Sequence, residues 1–146
     1  MVNRLLSLFW IILVNAGIAK SQGSLLENAK LSPEEAAIIL GSQDVDVKIK
    51  YILDIADSLG RQNDVRSLRY FGLALGMMDS TDNIDLRFRL HRGFSSMLYK
   101  SGGTNLGFEQ LHAAYNTLKK KSPREYIKER GVLGSLGSRY LELNQP

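Results

Sequence analysis

The chain contains no cysteine and only two histidines among its 146 residues. The absence of cysteine excludes disulfide bridges, thiolate metal sites, a cysteine nucleophile and a lipid-modified cysteine. His91 and His112 belong to no HExxH motif, and neither has a second histidine one helical turn away. The carboxylates of Asp54 and Asp57 are predicted to be solvated, because nothing around them suggests an apolar pocket. We therefore predict a protein that is not an enzyme and that holds no metal or cofactor.

Prolines are also scarce, and neither sign of charge predominates strongly. Only three prolines occur, and no segment of strand length alternates apolar with polar residues, which predicts an all-α protein. The net charge is +4, but removal of Arg4 and Lys20 with the N-terminal segment leaves 17 basic residues against 15 acidic ones. The charges are scattered rather than arranged in a stripe, so we predict that nucleic acid is not a partner.

The one long hydrophobic run occupies residues 5–17 and follows Arg4. A basic start, an apolar run and small residues after it are typical of a signal peptide, which we place over residues 1–21, with cleavage before Gln22 or, alternatively, after Ala19. An uncleaved membrane anchor is the other interpretation, although the run is shorter than the ~20 residues that span a bilayer. We expect an exported protein, periplasmic, envelope-associated or secreted, which contacts a membrane only if this segment is retained.

Helix start signals divide the rest of the chain. Residues 22–44 are predicted to be an N-terminal extension with one short helix, because Ser32 is a typical N-cap, Pro33 fits the first helical position and Glu35 completes a capping box. In residues 45–143, apolar side chains recur at spacings of three and four, which predicts five further helices. The last of these is predicted to start at Ser122, Pro123 and Glu125, which repeat the earlier pattern. The core is predicted to contain Met77, Met78 and Met97.

Two of the predicted helix pairs share their apolar spacing, and a third leading helix follows them. In that helix Leu136, Gly137 and Tyr140 resemble the first helix of a tetratricopeptide repeat (TPR), in which such side chains let two helices approach closely; Ala56 and Leu59 match more weakly. The resemblance covers residues 45–146. It implies a right-handed superhelix of stacked antiparallel helical hairpins, a TPR-like α-solenoid of about two and a half repeats. The positions that it assigns to packing between helices are Ala56, Leu59, Leu68, Tyr99, Leu111, Tyr115, Leu136, Gly137 and Tyr140.

The repeat departs from the family in length. The spacing from Leu59 to Tyr99 and from Tyr99 to Tyr140 is about 40 residues, against about 34 in the family. Related families of stacked helical hairpins are therefore alternatives. The third leading helix also has no partner helix before Pro146, and solenoid ends need a cap. Either this helix is the cap or, as we prefer, the sequence is the front part of a longer protein.

Stacked hairpins of this kind form a concave surface that suits a peptide or a helix of another protein. The resemblance assigns that surface to the leading helices, and we predict Lys50, Asp57, Arg89 and Arg92 as its partner-binding residues. The predicted function is that of a non-catalytic protein–protein interaction module of the cell envelope. The alternative is the extracytoplasmic input region of a longer signalling protein, such as a sensor kinase or a transcriptional regulator.

Overall fold

The structure is a computed structural model that describes residues 31–121 and 123–143. Within these two ranges the chain forms six α-helices and a short 3-10 turn at Met78–Ser80, without a strand, so the predicted all-α class is confirmed. The helices are α1 (Pro33–Gly41), α2 (Val45–Arg61), α3 (Ser67–Gly76), α4 (Ile84–Lys100), α5 (Thr104–Lys119) and α6 (Tyr126–Leu143). None of these helices has the length and apolar composition that crossing a membrane requires. The predicted signal peptide over residues 1–21 lies outside the described residues.

Helix α1 begins at the capping box that the sequence predicts. The Glu35 N–H donates to Ser32 Oγ at 3.2 Å, and the Ser32 N–H donates to the Glu35 carboxylate at 2.8 Å, with Pro33 at the first helical position. The Tyr70 hydroxyl of α3 donates to the same carboxylate, 3.0 and 3.1 Å from its two oxygens. Glu35 therefore caps α1 and also attaches it to α3.

Helices α1 to α4 share one hydrophobic core. In α2 the spacings of three and four place Ile49, Ile52, Leu53 and Ala56 on one face, and all four are fully buried. The three methionines predicted to fill the core are buried there as well. The other buried members of this core are Ile39, Tyr70, Phe71, Leu73, Ala74, Leu86 and Leu90.

Helix α4 also faces a second core, between α4, α5 and α6. Its buried members are Phe88, Leu111, Ala114, Leu118, Val132 and Leu136. Beside this core the Ser95 hydroxyl of α4 donates to the Gly107 carbonyl of α5 at 2.7 Å, and a Cβ at Gly107 would lie 3.2 Å from the ring of Tyr99. Since α4 is covered on both sides, it joins the two halves of the structure.

Polar contacts at both ends indicate that α2 and α4 run in the same direction. At the start of α2, the Asp46 carboxylate accepts hydrogen bonds from the Thr81 hydroxyl and, at 2.9 Å, from the Asn83 amide just before α4. The bond from Thr81, followed by that from Asn83, lowers the pKa of Asp46. At the opposite ends, Lys100 Nζ of α4 donates to Asn63 Oδ1, just after α2, at 2.8 Å.

Helices α4 and α6 are related in the same way. Lys121, shortly before α6, lies 2.5 Å from Asp85 at the start of α4, while Arg139 in the second half of α6 lies 4.4 Å from the ring centroid of Tyr99 near the end of α4. Helix α3 packs on α2 and α5 packs on α4. The three leading helices α2, α4 and α6 thus lie side by side in one direction, with α3 and α5 connecting them.

Helix α6 begins at Tyr126, so the start predicted at Ser122, Pro123 and Glu125 is wrong; Ser122 itself lies outside the described residues. The carboxylate of Glu125 contacts lysine side chains instead of closing a capping box. Arg124 donates to the carboxylate of Glu129 at 2.9 and 2.5 Å, and Glu129 is only 5% exposed. Because a buried carboxylate needs a charged partner, Arg124 is held outside the helix by this pair.

Gly93 allows α3 and α4 to pack closely, which leads to a first prediction. A Cβ at Gly93 would lie 2.8 Å from two ring carbons of Phe71, a residue that is 1% exposed. We expect Gly93→Ala to lower the free energy of unfolding by about 1–3 kcal/mol through overpacking. Gly72→Ala is the matched control, because a Cβ at this exposed helical glycine meets no described atom, and alanine should stabilise the helix by about 0.5–1 kcal/mol. Urea unfolding measures both variants, and equal effects would contradict the close packing.

A second prediction concerns Tyr70. Burial, followed by the hydrogen bond to Glu35, raises the pKa of Tyr70 from 10.0 to about 12. A raised pKa means that the folded state prefers the protonated phenol, so this contribution is complete below the unfolded value of 10.0 and is lost as the pH rises to about 12. Between about pH 10 and pH 12, we expect the unfolding free energy to fall more steeply in the wild type than in Tyr70→Phe. Parallel pH dependences in urea unfolding would show that Tyr70 ionises equally in both states.

Candidate interaction groove

An open groove lies along α4, with α2 on one side and the start of α6 on the other. Its volume is about 770 Å³. The lining residues are Asp57 from α2, Asp85, Phe88, Arg89, Arg92, Gly93 and Ser96 from α4, and Lys121, Glu125 and Lys128 at the α6 end. Seven of these ten residues are charged, with both signs present.

Arg89 connects the α2 and α4 walls of the groove. Its Nε and Nη2 donate to Asp57 Oδ2 at 2.8 and 2.6 Å, and Nη2 also donates to Asp54 Oδ1 at 2.7 Å. Burial alone would lower the pKa of Arg89, but the hydrogen bonds to both carboxylates raise it. Asp54 is 55% exposed and thus solvated as predicted, whereas Asp57 is only 26% exposed; both are ion-paired, because α4 brings a guanidinium between them.

A second charge network closes the α6 end of the groove. Lys121 Nζ lies 2.5 Å from Asp85 Oδ1 and contacts the Glu125 carboxylate, while Lys128 Nζ lies 2.5 Å from Glu125 and 3.7 Å from Asp85. Hydrogen bonds from Lys121 and then Lys128 lower the pKa of Glu125, and those to Asp85 and then Glu125 raise the pKa of Lys121. Lys128 Nζ also lies 5.6 Å from the ring centroid of Phe88. The network fixes the start of α6 against α4.

Arg92 differs from the other cations of the groove. It is exposed, and no carboxylate of residues 31–121 and 123–143 lies within 4.0 Å of its guanidinium. It also borders a smaller cavity of about 180 Å³, which is lined further by Ser96, Tyr99, Ser135 and Arg139 among others. Arg92 can therefore pair with a carboxylate of a ligand without breaking an ion pair inside the chain.

Three of the four predicted partner-binding residues come together here. Asp57, Arg89 and Arg92 line the groove, whereas Lys50 does not. Lys50 is exposed on α2 two turns before Asp57, about 10 Å along the helix axis. It therefore lies outside the lining, and the role of all four residues in binding stays a prediction.

No family model, curated protein or solved structure matches the chain. The resemblance to the tetratricopeptide-repeat family therefore stays a prediction that depends on the residues that carry it. A function has to be inferred from the groove and its charges.

Most of the positions that the resemblance assigns to packing lie between helices. Ala56, Leu111 and Leu136 are buried. The partly buried members pack against one of the two cores, namely Leu59, Leu68, Tyr99 and Tyr115.

Gly137 and Tyr140 are placed differently from the prediction. A Cβ at Gly137 would meet no described atom within 4 Å, and Tyr140 is 60% exposed. The buried stripe of α6 consists of Glu129, Val132 and Leu136, which are spaced by three and four residues. Gly137 is turned away from this stripe, whereas Tyr140, one turn after Leu136, lies on the same side of α6 but near its C-terminal end, where it is exposed.

The two histidines lie apart from the groove and from each other's contacts. Among the described residues, no three His, Asp or Glu side chains are arranged to hold a metal ion. His91 Nδ1 forms a hydrogen bond with Gln110 Oε1 at 2.8 Å, and burial lowers the pKa of His91. His112 is exposed, with its ring edge-on to Phe108 at 4.7 Å. Neither histidine lines the groove.

Four charged residues of the groove were not predicted from the sequence. Lys121, Glu125 and Lys128 are spaced by four and three residues, which is the spacing of ion pairs along a helix and could have indicated them. Asp85 is 36 residues from Lys121. No local pattern indicates that pair, since it forms only when α4 and α6 lie side by side.

A third prediction tests how α6 is turned. Leu136→Ala should lower the free energy of unfolding by about 2–4 kcal/mol, because it removes buried methyl groups and leaves a cavity. Gly137→Ala should be neutral or stabilise by up to about 1 kcal/mol, since its Cβ enters open space. Thermal unfolding at low protein concentration measures both. A large loss of stability in Gly137→Ala would contradict this placement and would support the predicted close approach of a second helix at Gly137.

Proposed function

We propose that this protein is a non-catalytic interaction module of the cell envelope, which binds a peptide segment or a helix of a partner protein along the groove of α2, α4 and α6. One observation carries the proposal. The groove contains four cations and three carboxylates, and every carboxylate is ion-paired within the chain, while Arg92 has no such pair among the described residues.

The internal ion pairs prepare the groove for binding. The Asp57–Arg89 pair spans α2 and α4, and the Asp85–Lys121 pair spans α4 and the approach to α6. Side chains that are already fixed lose little conformational entropy when a ligand arrives. The volume of about 770 Å³ lies within the range of ligand pockets, and a groove open along its length suits a segment of polypeptide.

An acidic segment is the partner that the charges favour. A carboxylate placed at Arg92 would accept charge-assisted hydrogen bonds from its guanidinium, whereas a cation there would be repelled. Such complementarity increases the rate of association and selects among partners more than it raises affinity. We therefore expect binding to weaken as the salt concentration rises.

The envelope location is part of the proposal and rests on residues 1–21. The basic residue Arg4, the apolar run over residues 5–17 and the small residues after it support export. The partner is accordingly sought among envelope proteins.

A fourth prediction tests the groove by charge reversal. The purified chain is used to capture partners from an envelope extract, and the captured protein is identified by mass spectrometry and titrated against the variants. Arg92→Glu should weaken binding at least tenfold, or about 1.4 kcal/mol, because a repulsive charge replaces an attractive one. Lys50→Glu makes the same change of charge on an exposed lysine outside the lining, and should alter the dissociation constant by less than about twofold.

Two outcomes would contradict the proposal. An equal loss in both variants would mean that binding depends on overall charge and not on the groove. Unchanged binding in Arg92→Glu would place the partner on another surface. Circular dichroism and thermal unfolding of both variants check that each retains the wild-type fold.

A further inference from the structure

A small polar cavity lies between α4 and α6, beside the groove. Its volume is about 180 Å³, and it shares Arg92 and Ser96 with the groove. The hydroxyls of Ser95 and Ser135 already donate to backbone carbonyls. The lining residues are Arg92, Ser95, Ser96 and Tyr99 from α4, Leu111 from α5, and Ser135 and Arg139 from α6. Among the described residues no carboxylate belongs to this lining, which distinguishes the cavity from the groove.

Polar side chains border the cavity from two helices. Arg92, Ser96 and Tyr99 are spaced by four and three residues on α4, and Ser135 and Arg139 are spaced by four on α6. Such spacings place side chains on one face of a helix. Because α4 and α6 lie side by side, these two faces meet at the cavity. Two arginines and several hydroxyl groups therefore border one small space.

The guanidinium of Arg139 is held in place by the ring of Tyr99. Its central carbon lies 4.4 Å from the ring centroid, and an aromatic ring restricts a guanidinium stacked on it. The hydrogen bonds of Arg139 to the Glu142 carboxylate, at 2.9 and 2.6 Å, both use Nη1, which leaves Nε and Nη2 as donors. The Arg139–Glu142 pair is exposed, and exposed pairs contribute little to stability. An anion in the cavity can therefore share this cation with Glu142.

Two lining residues have donors without an acceptor. No carboxylate of residues 31–121 and 123–143 lies within 4.0 Å of Arg92. The Tyr99 hydroxyl is buried and has no hydrogen-bond partner in the same part of the chain. Burial raises the pKa of Tyr99, so the hydroxyl carries its proton at neutral pH. A buried hydroxyl without a partner costs free energy, and acceptor oxygens are what this cavity lacks.

We propose that the cavity binds a phosphate group, with Arg92 and Arg139 pairing with its charge and the hydroxyls of Ser96 and Tyr99 donating to its oxygens. A phosphate carries up to two negative charges and at least three strong acceptor oxygens, which matches two guanidinium groups and two hydroxyls. A carboxylate offers one charge and two oxygens. Because the cavity shares its edge with the groove, the phosphate is either a free ion or the phosphoryl group of a longer ligand.

Titration of the full chain with inorganic phosphate tests the site, observed by NMR of backbone amides and arginine side chains at low ionic strength. We expect saturable shifts at Arg92, Ser96 and Arg139, with a dissociation constant of about 1 mM or tighter. Acetate should bind at least about tenfold more weakly, because it offers fewer charges and acceptors. The absence of saturation at about 20 mM phosphate, or equal binding of acetate, would overturn the proposal.

A phosphoserine with blocked termini distinguishes the two sources of the phosphate. A tighter constant than that of inorganic phosphate would assign the group to a longer ligand, and an equal or weaker constant would assign it to the free ion. Neither titration contains a partner protein. The phosphate site and the proposed interaction function can therefore fail separately.

Variants that change one charge test the residues. Arg92→Gln and Arg139→Gln should each raise the dissociation constant for phosphate about tenfold. Arg130→Gln removes the same charge from an exposed arginine outside the lining, and should change the constant by less than about twofold. Glu142→Gln should lower the constant about two- to fivefold, because it frees Arg139. Glu109→Gln, at an exposed carboxylate outside the lining, is the matched control for Glu142→Gln.

The opposite sign expected for Glu142→Gln separates binding from misfolding, because a loss of structure would not strengthen the site. Equal losses in Arg92→Gln and Arg130→Gln would mean that only the overall charge attracts phosphate. Binding that is unchanged or weaker in Glu142→Gln would remove Arg139 from the site. Either result would overturn the proposal, and thermal unfolding without phosphate checks that each variant retains the wild-type fold.

Discussion

Helix α4 packs against a hydrophobic core on each of two sides, and both cores depend on its position. Leu90 and Met97 belong to the core shared with α1, α2 and α3, while Phe88 belongs to the core shared with α5 and α6. Gly93 and Gly107 allow the close approach on either side, since added side chains would meet Phe71 in one case and Tyr99 in the other. A substitution that shifts α4 is therefore expected to disturb the packing of both cores. It would also change the shape of the groove along α4.

Most charged residues of the groove form ion pairs within the chain. Arg89 holds α4 to α2 through two aspartates, and Lys121 holds the approach of α6 to α4 through Asp85. Exposed ion pairs of this kind contribute little to stability individually, about 0–1 kcal/mol. Their effect here is local, because they link α4 to α2 and to the approach of α6, while Arg92 has no such pair among the described residues.

Most features that depend on neighbours in sequence could be predicted, apart from the helix start at Ser122, Pro123 and Glu125, whereas most that depend on the packing of distant segments could not. The capping box at Ser32 and Glu35, the bounds of α4 and the buried methionines follow from local spacing and hydrophobicity. The groove was predicted in part, since Asp57, Arg89 and Arg92 lie on helix faces that a repeat would turn inward. In α6 Leu136 is buried as predicted, but Gly137 lies beside open space and Tyr140 is more exposed than predicted. A leucine followed by a small residue and an aromatic fits a packed helix, but which side of α6 is buried is decided by Val132, Leu136 and the Arg124–Glu129 pair.

The glycines of α6 have a consequence for the dynamics of the chain. A helix with three interior glycines and a single buried stripe opens more readily than its neighbours, so its amide hydrogens should exchange with solvent faster than those of α4. Any contact that covers the exposed face, whichever molecule provides it, would slow that exchange. The amide protection of α6 would therefore report whether its outer face is covered, without a label on the covering molecule.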